Sequence, residues 1–217
     1  MSKIIVLIGA PGAGKGTQAR LIQERLKLPQ ISTGDILRAR AEAADPLAGE
    51  IRALQAAGKL VPDDLVIRVV QERTAREDCR DGCVLDGFPR TLAQAAMLEQ
   101  LAADQRKDII AVALDVPFDV LEKRTTGRRS CPVCGELYNI YFKPPKSDET
   151  CDRHRGVKLV IRADDSEEKV RVRLKTYEQE TRPLLDYYEK SGRLRRVDGT
   201  KEREIVYQEL EEIIKEG

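Results

Sequence analysis

Ile4-Ile5-Val6-Leu7-Ile8-Gly9-Ala10-Pro11-Gly12-Ala13-Gly14-Lys15-Gly16-Thr17 decides how the rest of the chain is read. Five uninterrupted apolar residues suit a strand buried on both faces, as in a parallel sheet. The spacing Gly9-x4-Gly14-Lys15 then matches a phosphate-binding loop of the Walker type, placed where such a loop belongs, between a strand and a helix opening at Lys15. Glycines leave backbone N–H groups free to curl around phosphate oxygens, the helix N-terminus adds its positive dipole end, and Lys15 supplies a mobile charge. One position departs from the pattern: Gly16 stands where Ser or Thr is usual, with Thr17 one residue later, which weakens magnesium contact by a hydroxyl.

Working outward, the apolar runs Cys83–Leu85, Ile109–Leu114 and Leu194–Val197 read as further strands. Helical patterns fill the gaps at Lys15–Leu26, Asp63–Cys79, Thr91–Ala103, Ser166–Glu189 and Lys201–Lys215. Strand and helix in alternation mean an α/β fold with a mostly parallel sheet. Asp164-Asp165-Ser166, followed by Glu167-Glu168, reads as an acidic cap on the long helix, and Pro183 should kink it. Two segments break the alternation. Residues 32–61 read as short helices punctuated by Gly34, Pro46, Gly49 and Gly58. Residues 127–165 carry three cysteines, the one histidine, Pro132, Pro144, Pro145 and β-like stretches such as Leu137–Phe142. Both read as insertions into a core formed by 1–31, 62–126 and 166–217.

A length of 217 residues suits one such domain with its insertions. Charged residues make up 35%, against roughly 25% in an average globular protein. The signs nearly cancel, 38 basic against 37 acidic for a net +1, so nothing pulls the whole molecule toward nucleic acid or an anionic membrane. With only 6 Tyr, 3 Phe and no Trp, stacking of single-stranded bases is also disfavoured. A GTPase switch is excluded by its base-reading Asn-Lys-x-Asp, because the single Asn139 precedes Ile140. No apolar run approaches the ~20 residues of a membrane span, and Ile4–Ile8 is too short for a secretory leader. A cytoplasmic monomer is the expectation. Five cysteines, an odd count, then point to free thiols or metal ligands.

Four of those ligand types are spaced for a metal. Cys131-x2-Cys134 and Cys151-x2-His154 are two knuckles of the kind that converge on a tetrahedral zinc ion. The segment is too small to build a sizeable core, so a metal cross-link would take its place. Four protein ligands leave no open position, which makes the site structural. Asp152 is wrongly spaced to substitute, and Cys79 and Cys83 read as ordinary packing residues.

Gly9 to Gln18 resembles the phosphate loop of adenylate kinases. So do Ser32-Thr33-Gly34-Asp35, Asp86-Gly87-Phe88-Pro89-Arg90-Thr91, Gly127-Arg128-Arg129 and Val197-Asp198-Gly199-Thr200, in the family's order and over nearly the whole chain. The resemblance implies a P-loop nucleoside monophosphate kinase fold: a parallel five-stranded sheet flanked by helices, with two inserted mobile subdomains. Residues 32–61 would cover AMP, and 127–165 would be the long lid of bacterial members, closing over ATP. The implied reaction is ATP + AMP ⇌ 2 ADP. An AMP phosphate is mostly ionised at neutral pH, its second pKa being about 6, so it needs no general base. The enzyme's task is to align two repelling anions and hold the charge of the transferring group.

The implied roles fall on residues suited to them. Gly12, Ala13, Gly14, Lys15, Gly16 and Thr17 would cradle the ATP phosphates, with Arg124 and Arg128 reaching them. Leu137, Tyr138 and Lys201 would flank the ATP base. Arg38 and Arg90 would grip the AMP phosphate, and Thr33, Lys59, Leu60, Val61, Gly87 and Gln94 would form its pocket, Gln94 reading the adenine edge. Arg162 and Arg173 would close over the transferring group beside Asp164 and Asp165. Arginine fits these tasks because its planar fork pairs with phosphate and stays protonated. Asp86, ending the apolar run at 83–85, would organise Mg²⁺ through water. Cys131, Cys134, Cys151 and His154 would hold structural Zn²⁺, the histidine replacing the family's usual Cys or Asp. A kinase of UMP or CMP, or a GTP-dependent AMP kinase, is the alternative; Gln94 and the metal-bearing lid favour AMP.

Overall fold

The computed structural model describes residues 2–42, 48–57, 59–147 and 149–216; Pro46 and Gly58 lie outside the described residues. In chain order the first half runs β1 (Lys3–Ile8), α1 (Lys15–Leu26), β2 (Gln30–Ser32), α2 (Thr33–Glu42), α3 (Ala48–Ala56), α4 (Asp63–Thr74), β3 (Gly82–Asp86) and α5 (Leu92–Asp104). The second half runs β4 (Asp108–Asp115), α6 (Phe118–Thr126), β5 (Arg128–Ser130), β6 (Leu137–Asn139), α7 (Glu167–Thr176), α8 (Pro183–Lys190), β7 (Leu194–Asp198) and α9 (Arg203–Glu216).

The five-stranded sheet is parallel throughout, in the order β2-β3-β1-β4-β7, with β1 at its centre. Alternate residues of β1 serve opposite cores. Ile4, Val6 and Ile8 pack with residues of α2 to α5 and α8, while Ile5 and Leu7 pack with α1, α6, α7 and α9. Full burial of each such side chain is worth about 1.5–3 kcal/mol, which is why an unbroken apolar run marks this strand. All strands therefore end on one side, where ligands of such sheets bind.

Several boundaries differ from the expectation. β2 is a three-residue edge strand, too short to show periodicity. The helix from Asp63 stops at Thr74, and Glu77–Cys79 is a separate 3-10 turn. The long helix is split by a π-turn at Tyr177–Thr181, where the Arg182 N–H reaches back to the Tyr177 carbonyl at 2.9 Å. Pro183 has no N–H and a ring that crowds the preceding turn; the wider turn accommodates it, so the kink takes the form of a π-bulge. Ser166 makes no side-chain cap at α7, and Asp164 and Asp165 bond arginines rather than the helix start. α9 begins at Arg203 rather than Lys201, after a turn in which Asp198 accepts from Thr200. The β-like stretch from Leu137 continues only to Asn139 before turning back at Lys143. Among the described residues no helix is long and apolar enough to cross a membrane.

Candidate active site and metal centre

The loop between β1 and α1 is shaped by two glycines in left-handed conformation, Gly12 (φ +89°) and Gly14 (φ +100°). A Cβ on Gly12 would also stand 2.6 Å from the Thr125 hydroxyl and 2.9 Å from the Leu121 carbonyl, so only glycine fits. The Lys15 ammonium bends back to its own loop, donating to the carbonyls of Gly9 (2.6 Å) and Ala10 (3.1 Å). Burial pulls its pKa down to about 8; Asp86 opposes that, and Arg90, Arg173 and Arg128 add to it. A Cβ at Gly16 would lie 3.1 Å from a carboxylate oxygen of Asp86, a tight contact to which that side chain would have to yield. Gln30 reaches the same oxygen at 3.5 Å. A carboxylate beside a phosphate loop fits the second coordination sphere of a hydrated divalent cation.

Next to this loop lies a cavity of about 540 Å³. Thr33, Arg38, Lys59, Leu60, Val61, Gly87, Arg90, Gln94, Arg162 and Arg173 all line it, although they come from five separate stretches of chain. Leu37, Ala41 and Val66 supply an apolar wall. Six cationic side chains (Arg52 among them) face only two carboxylates, Glu42 and Asp164. Burial, reinforced by neighbouring arginines, lowers the pKa of Arg90 and Arg173, and that of Arg162 to about 10. All three still carry their charge at neutral pH. Positive charge held in a cleft without enough counter-charge is relieved by an anionic ligand.

Asp165 organises this charge from below. Its fully buried carboxylate accepts a two-point fork from Arg128 (2.8 and 2.5 Å) and a further bond from Arg173 (3.1 Å). Arg173 also bonds Asp164 at 2.9 Å. Asp165→Asn leaves the two guanidiniums without their shared anion, and the expected loss is about 3 kcal/mol of stability, read from denaturant unfolding. A change under about 0.5 kcal/mol would mean the cluster does not need this anion.

Gln94 is buried and held at both ends of its amide: its carbonyl accepts from the Arg90 N–H (2.7 Å) and its NH₂ donates to Asp63 (2.6 Å), leaving one N–H and one lone pair. Asp63 also accepts from Thr91 at 3.2 Å. The sequence reading missed Asp63 as a site residue, because an acid at the start of a helix looks like an ordinary N-terminal charge. Arg38 is held against Asp35 at 2.5 Å, and the Arg90 Nε donates to the Gly87 carbonyl at 2.8 Å.

On the other side of the loop Arg124 donates to the Gly199 carbonyl at 2.7 Å. The Lys201 ammonium is turned away onto Glu209 (2.5 Å), leaving main-chain groups toward the loop. Tyr138 is 3% exposed, and its hydroxyl accepts from the Asp152 N–H (2.9 Å) and lies 3.6 Å from the Cys151 sulfur. Its ring thus belongs to the interior of the 127–165 segment, and Leu137 beside it is half-buried.

The ligand atoms of Cys131, Cys134, Cys151 and His154 lie within 4.8 Å of one another. The separations Cys134–Cys151 (3.8 Å), Cys131–His154 (3.9 Å) and Cys151–His154 (3.7 Å) are close to the tetrahedron edge of about 3.8 Å that Zn–S bonds of ~2.3 Å would require. Donor type and geometry agree: these four residues could hold a metal ion, with all four positions taken by protein.

Phosphate loop, cationic cleft and parallel sheet define a P-loop phosphotransferase with the nucleoside monophosphate kinase fold. A family model described as adenylate kinase matches residues 7–193. Curated adenylate kinases are similar over most of their length: that of Thermotoga neapolitana is 50% identical, covering 92% of this chain and 91% of its own. That of Thermodesulfovibrio yellowstonii is 49% identical (90% and 91%), and that of Archaeoglobus fulgidus 46% (97% of each). The chain belongs to the adenylate kinase family.

Proposed function

We propose that the protein catalyses reversible phosphoryl transfer from MgATP to AMP, giving two ADP. The observation that carries this is the convergence of ten residues from five stretches onto one cationic cavity beside Lys15. AMP occupies the cavity, its phosphate against Arg38 and Arg90, its base against the apolar wall and Gln94. ATP phosphates lie in the Gly12–Thr17 loop against Lys15, Arg124 and Arg128. Arg162 and Arg173 stand between the two anions and hold the charge of the transferring group. Magnesium, when bound with ATP, neutralises charge on the phosphate oxygens, and Asp86 orients its water shell. Residues 32–61 and 127–165 close over the two nucleotides and exclude water, a competing acceptor, and their reopening limits turnover. Zinc is the metal of the closed site, since thiolates and imidazole disfavour magnesium or calcium. The protein works as a monomer in the cytoplasm, without nucleic acid or membrane.

The deciding test is ADP formation with ATP or GTP as donor and AMP, UMP, CMP or GMP as acceptor, with and without Mg²⁺. ATP with AMP and Mg²⁺ gives the highest kcat/KM; equal use of UMP or CMP overturns the assignment.

The pH dependence follows from Lys15. ATP phosphates bind its ammonium form, and in the free site that form is lost as pH rises through about 8. Below that value the proton is already present, so affinity is flat; above it, each binding event must also take up a proton. ATP affinity therefore falls about tenfold between pH 7 and pH 9 by calorimetric titration. A flat profile over that range removes the lysine from the binding step.

A further inference from the structure

Arg20 lies on α1, five residues beyond Lys15, and lines neither the loop nor the cavity. Its guanidinium donates to the carbonyl of Gly135 at 3.1 Å, across 115 positions of sequence. Gly135 closes the first metal knuckle: its N–H returns to the Cys131 carbonyl (2.9 Å), and its φ of +68° points the remaining carbonyl outward. The next residue, Glu136, is bridged to Lys143 (2.6 Å) and Arg153 (3.5 Å). It is also attracted by Arg203, the first residue of α9. Gln18 of α1 bonds the Arg203 carbonyl at 3.0 Å, so α1 and α9 present one polar face to the knuckle.

We propose that Arg20 is a positioning residue that seats the metal knuckle on the helix of the phosphate loop and so holds the 127–165 segment closed over ATP. The proposal rests on the reading of that segment as a cover for the ATP site. The link joins two parts that differ in every other respect: a helix fixed to the central strand, and a knuckle whose shape depends on its metal. Removing it lowers the closed fraction and weakens ATP first; AMP, whose cavity Arg162 and Asp164 of the same segment also line, is weakened less. A charged donor to a carbonyl in a half-buried setting supports an effect of about fivefold.

The test uses the full-length, metal-loaded protein with Arg20→Ala and Arg20→Lys. Arg20→Ala is expected to raise KM for ATP about fivefold, with a smaller rise in KM for AMP, metal content and melting temperature unchanged and kcat not reduced. Arg20→Lys, which keeps a cationic donor, recovers most of the loss. An unchanged KM for ATP, an equal rise for both nucleotides, or loss of metal from Arg20→Ala overturns the proposal. Wild-type protein that makes no ADP overturns the underlying reading as well, and the two failures are told apart by that control.

Discussion

Lys15→Met lowers kcat by about 10³ while leaving the fold in place. Methionine is nearly isosteric but carries no charge, so the phosphate loop loses its mobile cation at the point where charge develops during transfer. Removing one preorganised donor typically costs 10²–10³ in rate, and cationic groups on a transferring phosphoryl group are worth 10³–10⁵. The loop itself should persist, since its shape comes from the left-handed Gly12 and Gly14 rather than from the lysine. Stability changes little, because two hydrogen bonds to Gly9 and Ala10 are lost while the desolvation that pulls the ammonium to about pKa 8 is relieved. Steady-state ADP formation and thermal melting check both halves. A loss of less than tenfold would show that the arginines suffice without it.

Stripping the metal is the second large effect. Among the described residues of the 127–165 segment the buried hydrophobic cluster is Cys131, Tyr138 and Cys151, with Cys134, Val157 and Leu159 partly buried around them. Val133, Ile140, Tyr141, Phe142, Val160 and Ile161 remain exposed. Its paired strands are three residues long, joined by single bridges at Ser130–Val160, Asn139–Lys143 and Thr150–Lys158. Such a core cannot offset the entropy of ordering the segment, whereas closing a tetrahedral site is worth about 10–16 kcal/mol in small zinc domains. Chelation, or Cys151→Ser, is therefore expected to open the segment to proteolysis between 127 and 165 while the five-stranded sheet stays folded. Activity should fall with it and return on adding zinc to the chelated protein. Unchanged protease resistance after complete metal removal, verified by elemental analysis, would defeat the expectation.

How far the sequence revealed this depended on the range of each signal. β1 and its loop were legible because burial on both faces and phosphate geometry each leave a local pattern. The metal set was legible because both knuckles are short. β2 was not: three residues carry no period, and its place is fixed by pairing with β3. Pro183 signalled a kink, but not that an extra residue would be taken up as a π-turn. Asp165 and Asp63 show the harder limit. The acids were visible, yet one resembled part of a helix cap and the other a helix start; their work lies in pairing with Arg128, Arg173, Gln94 and Thr91, partners brought near only by the fold. Gly16 was noticed as a departure, and its tight neighbour, Asp86, is likewise tertiary.

The fork between Arg128 and Asp165 ties the first residues of the metal-bearing segment to its last. A flap stitched together at its base does not flutter as a long loop would. In the proposed closure it would swing as one piece, with the joint outside the stitch, beside Gly127 on the way in and Ser166 on the way out. The two arginines proposed to act on nucleotide, Arg128 and Arg173, share that one carboxylate, so such a motion would also set the aim of their charges.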